Sequence, residues 1–348
     1  MDRNWTIRPA VEQDFPDITV TETAVGPEPV AECQIREWEN FSRTDKECPM
    51  EWFVAVEPDG SAHAKFLGWG SWGKAHWLAP DEREVHVAVP PANRGVGVGT
   101  YLLEHMEALV KRERPTAIYA WGRGYDHDSL KWAQNRGYAV DRERTEGVLG
   151  LAGFDAGRFQ ADLDRVRLAG IEIRTAWDSE ADPYLTGMYR VSVETFRDVP
   201  FRSAGASDVS YETWLKEIKE SSNRKLFAIA LHDGEVVGYT NLWMPQMEGQ
   251  SAGIEYTGVL KEYRGKGIAF AVKVVATAEG AKAGVKQIRT NNDPDNPAIL
   301  HLNQRMGFHA VPGPVIFKKS CDKPLYGDHL VPLLPHLPKY SCSRQIAR

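Results

Sequence analysis

The sequence has few cysteines and no long apolar segment. Its 348 residues include Cys33, Cys48, Cys321 and Cys342, which show neither the close spacing of a metal site nor the density of a disulfide framework. Reduced thiols and a cytoplasmic location are therefore expected. No apolar run approaches the ~20 residues that span a bilayer, and residues 1–5 begin no apolar signal region, so we expect no membrane partner.

An excess of positive charge is also missing. The chain has 42 Lys and Arg against 48 Asp and Glu, a net charge of −6. Sequence-independent nucleic-acid binding needs a basic face, so a nucleic-acid partner is not expected. A cationic substrate is compatible with this balance. The apolar fraction of 42% is enough for ordinary cores, and the length suggests about two domains.

Two common nucleotide motifs are absent as well. Neither of the glycine-rich stretches reads Gly-x-Gly-x-x-Gly in the register of a dinucleotide-binding fold. The Walker pattern needs Ser or Thr after Gly-Lys, and Gly265-Lys266 is followed by Gly267.

What the sequence does contain is one glycine-rich stretch used twice. Residues 94–100 read Arg-Gly-Val-Gly-Val-Gly-Thr, and residues 264–269 read Arg-Gly-Lys-Gly-Ile-Ala, each between a predicted strand and a predicted helix. Glycine allows several backbone N–H groups to converge, and the helix adds its positive end at the same point. The pattern predicts a pyrophosphate site, although a single such loop is equally typical of a tight turn.

The surroundings of the two loops also repeat. Arg94 and Arg264, Gly68 and Gly238, Ala117 and Gln287, and Gly137 and Gly307 are all 170 residues apart. Four landmarks at one offset indicate two copies of a single fold. In the first copy, residues 138–151 are long enough for two final strands.

The order of strand, hairpin, strand, glycine loop, helix, strand, helix and final strands resembles the GNAT superfamily of N-acyltransferases. The resemblance covers nearly the whole chain and implies an α/β fold, in the mixed-sheet (α+β) sense, made of two tandem GNAT domains. The expected division is an N-terminal GNAT domain at 1–153, a connecting helix at 154–170, a C-terminal GNAT domain at 171–319 and a C-terminal arm at 320–348.

The resemblance also implies where acyl-CoA binds, with acetyl-CoA favoured and no metal. In the family, the strand before the loop carries a bulge and parts from the next strand, and the pantetheine arm lies in the gap. The residues implied to line that arm are Val87 and Val89, or Thr257 and Val259, and a main-chain N–H near Val89 or Val259 would stabilise the thioester oxyanion. Those implied to hold the pyrophosphate are Arg94, Gly95, Val96, Gly97, Gly99 and Thr100 in the first half, and Arg264, Gly265, Lys266, Gly267 and Ala269 in the second.

The reaction needs a base, because an ammonium group with a pKa of ~10 must lose a proton at a cost of about 4 kcal/mol at neutral pH. Glu255 is placed by alternation on the same strand face as Thr257 and Val259. Its first-half counterpart is Val85, which favours the second half as the catalytic one. Glu84 and His86 are rival bases in the first half, and Glu255 could instead be a plain exposed strand carboxylate.

The family's usual general acid is a tyrosine four residues before the glycine that ends the last helix. This sequence has Ala133 and Asn303 there. Asn303 could hydrogen-bond the CoA sulfur or a water, but it cannot donate a proton as a phenol does. Asn296 matches a family asparagine near the CoA arm, and it could equally serve as a helix N-cap.

The resulting hypothesis is an acyl-CoA-dependent N-acyltransferase that acts on the amine of a small molecule, as a monomer or homodimer. A non-catalytic CoA-binding or interaction protein and a protein or peptide amine acetyltransferase are the alternatives. The loop at residues 197–205 is either a surface loop or a lid over the substrate.

Overall fold

A computed structural model describes residues 5–58, 64–219, 224–247 and 250–321. The predicted arm at 320–348 therefore lies almost wholly outside the described residues. The helices are α1 Phe15–Val25, α2 Glu32–Thr44, α3 Val98–Lys111, α4 His127–Gln134, α5 Gln160–Leu168, α6 Leu185–Phe196, α7 Tyr211–Lys219, α8 Ile268–Lys282 and α9 Pro297–Met306. The strands are β1 Thr6–Pro9, β2 Met50–Glu57, β3 Lys65–Gly73, β4 Glu82–Ala88, β5 Ala117–Arg123, β6 Ala139–Gly150, β7 Ile171–Trp177, β8 Lys225–His232, β9 Glu235–Trp243, β10 Ala252–Val259, β11 Gln287–Asn292 and β12 His309–Ser320.

The strands form one mixed, 12-stranded sheet in the order β1-β2-β3-β4-β5-β12-β6-β11-β10-β9-β8-β7. Each half begins with an antiparallel meander, β1 to β4 and β7 to β10. Each meander is followed by a parallel pair, β4 with β5 and β10 with β11. Helices cover both faces, so the structure is a mixed α/β fold with repeated halves.

The two halves exchange their last strands. β12, the end of the second half, pairs with β5 of the first half through Ser320 and Ala117 at one end of the ladder and Pro314 and Arg123 at the other. β6, the end of the first half, pairs with β11 of the second half. β6 and β12 also pair with each other, at the centre of the sheet.

This exchange corrects the prediction of two final strands within residues 138–151. The segment is one 12-residue strand, β6. A second strand is not needed locally, because β12 supplies the partner that lies between β5 and β6. The offset of 170 residues extends to this pair, since Ala139–Gly150 and His309–Ser320 have matching bounds.

The helices after the glycine loops pack differently. α3 is amphipathic and buries one side, including Leu102 and Met106, against its half of the sheet. α8 buries nine of its 15 residues, including Val272 and Val274, because α5 and the sheet both cover it. Each fully buried aliphatic side chain of this kind contributes roughly 1.5–3 kcal/mol. One of the nine is a lysine, Lys273.

Within the described residues, no helix combines the length and apolar character needed to cross a bilayer.

Candidate active site

The two glycine loops have the same backbone conformation. Gly95 and Gly97 have φ of +77° and +102°, and Gly265 and Gly267 have φ of +76° and +83°. These left-handed values turn successive N–H groups toward one point at the N-terminus of α3 or α8 and favour glycine at all four positions. The sequence correctly predicted two loops of one geometry.

The arginine that opens each loop is held in the same way. Arg94 Nε donates to the carbonyl of Val89 at 3.1 Å, and Arg264 Nε donates to the carbonyl of Val259 at 3.0 Å. Each guanidinium also pairs with an aspartate: Arg94 with Asp126 at 3.1 Å and Arg264 with Asp198 at 2.6 Å. The cationic groups therefore lie beside the expected phosphate position in both halves.

Beyond the loops, the parallel strands part in both halves, but of the two strands that precede the loops, β4 and β10, only β10 has a bulge. β4 and β5 pair from Glu82–Ala117 to Glu84–Tyr119 and then separate. β10 and β11 pair at Ala252 and Gly253 and then separate. The ladder between β9 and β10 shifts register between Ile254 and Tyr256, which places the bulge at Glu255. The described pairs of β3 with β4 run without a shift.

Main-chain donors face the second gap. The N–H of Leu260 bonds to the carbonyl of Val237 on β9. Because N–H groups alternate along a strand, those of Val259 and Thr257 point the other way, into the gap between β10 and β11. This is the position that the resemblance implies for the oxyanion donor and the contacts to the pantetheine arm.

Glu255 faces a different side of the sheet from the one that alternation predicted. Val259 packs with Ile268 and Ala271 of α8. A Cβ atom on Gly258 would instead meet Thr195 of α6, so β10 presents opposite faces to the two helices. The Glu255 carboxylate accepts a hydrogen bond from Asn241, whose strand neighbour Tyr239 packs on α6.

The prediction that Glu255 shares a face with Thr257 and Val259 is therefore wrong. The extra residue of the bulge shifts the alternation by one and turns Glu255 to the α6 side.

The Glu255 carboxylate is held but accessible. Asn241 Nδ2 donates to Oε2 at 2.6 Å, and Lys225 Nζ lies 3.4 Å from the same oxygen. The Glu255 side chain is 43% exposed, whereas that of Lys225 is 3% exposed. Next to Glu255 on β10, burial raises the pKa of Tyr256 to about 12, so its hydroxyl stays protonated at neutral pH.

Glu255 and the second loop open into one cavity of about 1210 Å³. Its lining includes most of β10, the loop residues Arg264, Gly265 and Gly267, the start of α8 with Ala269, and Asn296 before α9. The opposite wall comes from the first half: residues 26–30 between α1 and α2, together with Arg123 of β5 and Arg144 and Glu146 of β6. The exchanged strand β6 thus brings first-half side chains to the second-half cavity.

Aromatic side chains fill the gap of the first half. The Glu84 carboxylate accepts hydrogen bonds from the indole N–H groups of Trp77 and Trp121, both at 3.0 Å. Burial raises the pKa of Glu84 despite these two donors. Phe201, from the second half, packs its ring against both indoles. Glu84 is therefore half-buried and held by an aromatic cluster.

The other rival base, His86, is also committed to a structural contact. Its Nε2 lies 3.3 Å from Glu22 Oε1, which also accepts a hydrogen bond from the Trp69 indole. The ring of His86 is 4.7 Å from that of Trp69. Val87 and Val89 pack beside Leu67, Val98 and Leu102.

The first loop is covered as well. The Trp132 ring lies 3.3 Å from where a Cβ of Gly99 would be. The Arg136 guanidinium lies 4.3 Å from the centre of that ring and donates to Thr100 Oγ1. The pocket at this loop, lined in part by Gly97 and Thr100, is about 400 Å³.

Comparison with known proteins agrees with this layout. Residues 185–308 match the model of the acetyltransferase (GNAT) family. The chain is 28% identical over 267 residues to mycothiol acetyltransferase of Geodermatophilus obscurus, covering 74% of this chain and 79% of that protein.

Two solved structures extend the likeness over both halves. A tandem GNAT protein from the clavulanic acid biosynthesis pathway has a TM-score of 0.69 at 18% identity, covering 91% of this chain and 98% of that one. A GCN5-related N-acetyltransferase from Sphaerobacter thermophilus has a TM-score of 0.62 at 20% identity, covering 92% and 96%. Residues 185–308 thus match the GNAT family, and the likeness to the two solved structures shows that both halves share their fold. Enzymes of this family use acyl-CoA and act on amines.

The two asparagines implicated by the GNAT resemblance have different surroundings. Asn296 Oδ1 accepts a hydrogen bond from the N–H of Ile299 at 3.2 Å, so it caps α9 while also lining the cavity. Asn303 is 4% exposed, and its Oδ1 accepts a hydrogen bond from Lys273 Nζ at 2.6 Å. Sequence reasoning missed Lys273, although a lone lysine within the apolar run of α8 was a visible signal.

The remaining loop residues differ in exposure. Val96 is 50% exposed and projects from the first loop. In the second loop, Lys266 Nζ lies 4.7 Å from the centre of the Tyr263 ring, beside the expected phosphate position. Within the described residues, no group of three His, Cys, Asp or Glu side chains is placed to bind a metal.

The loop at residues 197–205 forms a wall of the cavity. Asp198 and Phe201 line it, and Asp198 also pairs with Arg264. The N–H of Ser203 donates to the carbonyl of Trp77 at 2.8 Å, which ties the loop to the first half. The loop is thus more than a plain surface turn. Its opening and closing remain a hypothesis.

Proposed function

We propose that the second half of this protein transfers an acetyl group from acetyl-CoA to the amine of a small molecule, and that the first half is a non-catalytic partner. The observation that supports this most strongly is the asymmetry of the two gaps. Among the residues that the structure describes, only the second gap joins a glycine loop, a bulged strand and an accessible carboxylate in one cavity.

In this proposal the pyrophosphate binds at the N-terminus of α8. The N–H groups of Gly265 and Gly267, the guanidinium of Arg264 and the ammonium of Lys266 supply the positive potential. The pantetheine arm lies along β10 between Thr257 and Val259. Acetyl-CoA is favoured over longer acyl-CoA because the matching family model is that of acetyltransferases.

The chemical step is direct attack of the amine on the thioester carbonyl. The inward N–H of Val259 stabilises the oxyanion as the tetrahedral intermediate forms. Glu255 accepts the ammonium proton, directly or through a water, and Asn241 keeps the carboxylate in place.

The acceptor end of the cavity carries charges of both signs. Arg289 bonds to Glu146 at 2.6 Å and to Glu28 at 3.0 Å, which joins the two halves across the wall. Arg144 lies over the Phe201 ring at 4.6 Å, and burial lowers its pKa. Paired carboxylates and guanidinium groups on one wall suit a polar small molecule with an amine. We therefore rank the peptide alternative second.

The test is the stoichiometry of acetyl-CoA binding, measured by native mass spectrometry. Gly265 and Gly95 offer a matched pair, because both have φ near +77° and a Cβ at either would have no heavy atom within 4 Å. Aspartate tolerates this backbone region and would place a carboxylate beside the phosphate position. We expect one bound acetyl-CoA in the wild type, loss of binding in Gly265→Asp, and retention in Gly95→Asp.

Two bound molecules, or loss in Gly95→Asp alone, would contradict the assignment of the second half. If acetyl-CoA binds but no amine in a panel of small primary amines causes release of CoA, the non-catalytic alternative is favoured.

We propose residues 1–153 and 171–319 as the two repeats. Because β6 and β12 are exchanged, we do not propose these repeats as separable domains.

A further inference from the structure

A buried polar pair lies between α8 and α9. Lys273 is 1% exposed and Asn303 is 4% exposed. Lys273 Nζ donates to Asn303 Oδ1 at 2.6 Å, and the Nδ2 of Asn303 has no hydrogen-bond partner within the described residues. A buried ammonium group costs several kcal/mol unless it is well paired. A single amide acceptor is little compensation, so the pair calls for an explanation beyond packing.

The pair lies where the second gap closes. Lys273 Nζ is 5.5 Å from the centre of the Phe308 ring. Phe308 packs in one cluster with Ile254 and Ile288, which are next to the last paired residues of β10 and β11. Lys273 also lines the cavity, together with Ile254 and Thr290. A pantetheine arm that enters at Gly267 and follows β10 reaches this end with its sulfur.

The first half has no such pair at the matching positions. The residues 170 positions earlier are Leu103 and Ala133, and both pack in the apolar cluster between α3, α4 and the sheet. The polar pair therefore occurs in the half with the open cavity and is replaced by apolar side chains in the half whose gap is filled. Packing alone would not require a lysine here, since the same two helices pack in the first half without one.

We propose that Lys273 donates a proton to the sulfur of CoA as the thioester breaks, and that Asn303 positions its ammonium group. This inference rests on the proposed function of the second half. Lys273 is then the catalytic acid in place of the absent tyrosine, and Asn303 is a positioning residue.

The step balances as follows. The amine nitrogen forms a bond to the acetyl carbon, and the C–S bond of the thioester breaks. A substrate ammonium loses two protons on becoming an amide; Glu255 or water accepts them and passes them to solvent. The departing thiolate receives one proton from Lys273, which becomes neutral and regains a proton from solvent. The products are the amide and CoA with a free thiol.

The ionisation of Lys273 fits this role. Burial lowers its pKa from the usual 10.5 to about 7, so it is partly protonated at neutral pH and can both give and regain a proton. The charged groups that line the same cavity nearby are Arg305 of α9, Glu255 of β10 and Arg289 of β11. His301 of α9 is a further titratable group of that lining.

The experiment titrates the thiol of bound CoA, so it needs no knowledge of the acceptor. Thiolate formation is followed by its ultraviolet absorbance in the saturated complex of the full-length protein with CoA. Because Lys273 has a pKa of about 7, it and the thiol should titrate as a coupled pair that shares one proton. In the wild type, part of the thiolate should therefore form about two pH units lower than in Lys273→Met, where the thiol titrates alone. Met keeps the length of the side chain and removes a buried charge, so folding should be retained.

Two more variants separate chemistry from packing. Thr277→Val removes a buried hydroxyl on the same helix that has no partner within the described residues, and it should leave the thiol pKa unchanged. Asn303→Leu should lose part of the wild-type shift. With an active amine, Lys273→Met should lower turnover ~100-fold while acetyl-CoA binding is kept.

The outcomes are distinguishable. Equal thiol pKa values in the wild type and Lys273→Met, or an equal change in Thr277→Val, would overturn the role of Lys273 and leave the proposed function standing. Failure of the wild type to bind CoA would overturn the proposed function itself.

Discussion

The two halves share a glycine loop of almost identical backbone geometry and differ in what lies beyond it. In the second half the parted strands open into a cavity, whereas in the first half Trp77, Trp121 and Phe201 fill the space. The loop is therefore evidence for a shared fold, and the side chains in the gap determine whether the fold has an active site. A motif search alone would give both halves equal weight.

The differences are few and have clear physical effects. A bulge turns Glu255 toward the cavity, and the first half has the apolar Val85 at that position. Trp132 and Arg136 cover the first loop, where the second half has Leu302 and Met306. Each difference can be tested by exchange between the halves.

The largest effect on turnover is expected when the carboxylates Glu255 and Glu84 are replaced in turn. Glu255→Gln should lower turnover by ~100-fold with acetyl-CoA binding unchanged, because the amide cannot accept the ammonium proton. The measurement is release of CoA with an active amine, with native mass spectrometry as the binding control. Glu84→Gln should leave turnover as in the wild type, since the Glu84 carboxylate is held by the indole N–H groups of Trp77 and Trp121. Equal losses in the two variants would remove the functional contrast between the halves.

A gain of binding should follow from uncovering the first loop. The combined substitutions Trp132→Leu, Arg136→Met and Asp126→Asn give this loop the residues of the second half. They remove the covering ring and the aspartate that pairs with Arg94. We expect a second, weak acetyl-CoA in native mass spectra at high ligand concentration. If the spectra still show one bound molecule, the filled gap rather than the covered loop is the barrier.

A smaller effect is expected at the second loop. Asp198 is 56% exposed and pairs with Arg264, so its carboxylate competes with the pyrophosphate. Asp198→Asn should lower the Kd for acetyl-CoA ~3-fold, within the range of an exposed ion pair. Asp208→Asn is the control, because Asp208 pairs with Arg197 and Arg202 in the same segment without contacting the loop arginine. Calorimetric titration of both variants at one salt concentration checks this, and tighter binding in both would show a general charge effect.

His76, whose second-half counterpart is Gln246, is expected to affect stability and not acetyl-CoA binding. Burial opposes its charged form, but hydrogen bonds to Asp45 and Cys48 outweigh it and raise the pKa of His76 to about 10. The pKa of His76 is about 10 in the folded protein and 6.5 in the unfolded chain, so protonation favours the folded state. This stabilisation is complete below pH 6.5 and is lost as pH rises from 6.5 toward 10.

His76→Gln should therefore lower the Tm more at pH 6 than at pH 10, with acetyl-CoA affinity unchanged. Thermal unfolding at the two pH values measures this. An equal decrease at both would show that the loss is one of packing.

The sequence predicted the features that depend on local pattern. Positive φ at Gly95, Gly97, Gly265 and Gly267 follows from the chemistry of glycine, and the repeat follows from spacing. It could not predict the filling of the first gap, because Trp77, Trp121 and Phe201 come from distant parts of the chain. It also could not place Glu255, since a bulge changes alternation without leaving a residue signature. The burial of Lys273 depends on how α8, α9 and the sheet pack together.

The exchanged strands have a consequence for how the chain is made. Synthesis proceeds from the N-terminus, so β5 and β6 leave the ribosome long before β12, the strand that must lie between them. Until residues 309–320 emerge, β5 and β6 each have an unpaired edge where β12 will lie. Such edges readily pair with a strand from another molecule. The first half is thus completed only when the end of the chain has been made. If synthesis pauses, or if many chains are made close together, we expect dimers in which each chain inserts its β12 into the other.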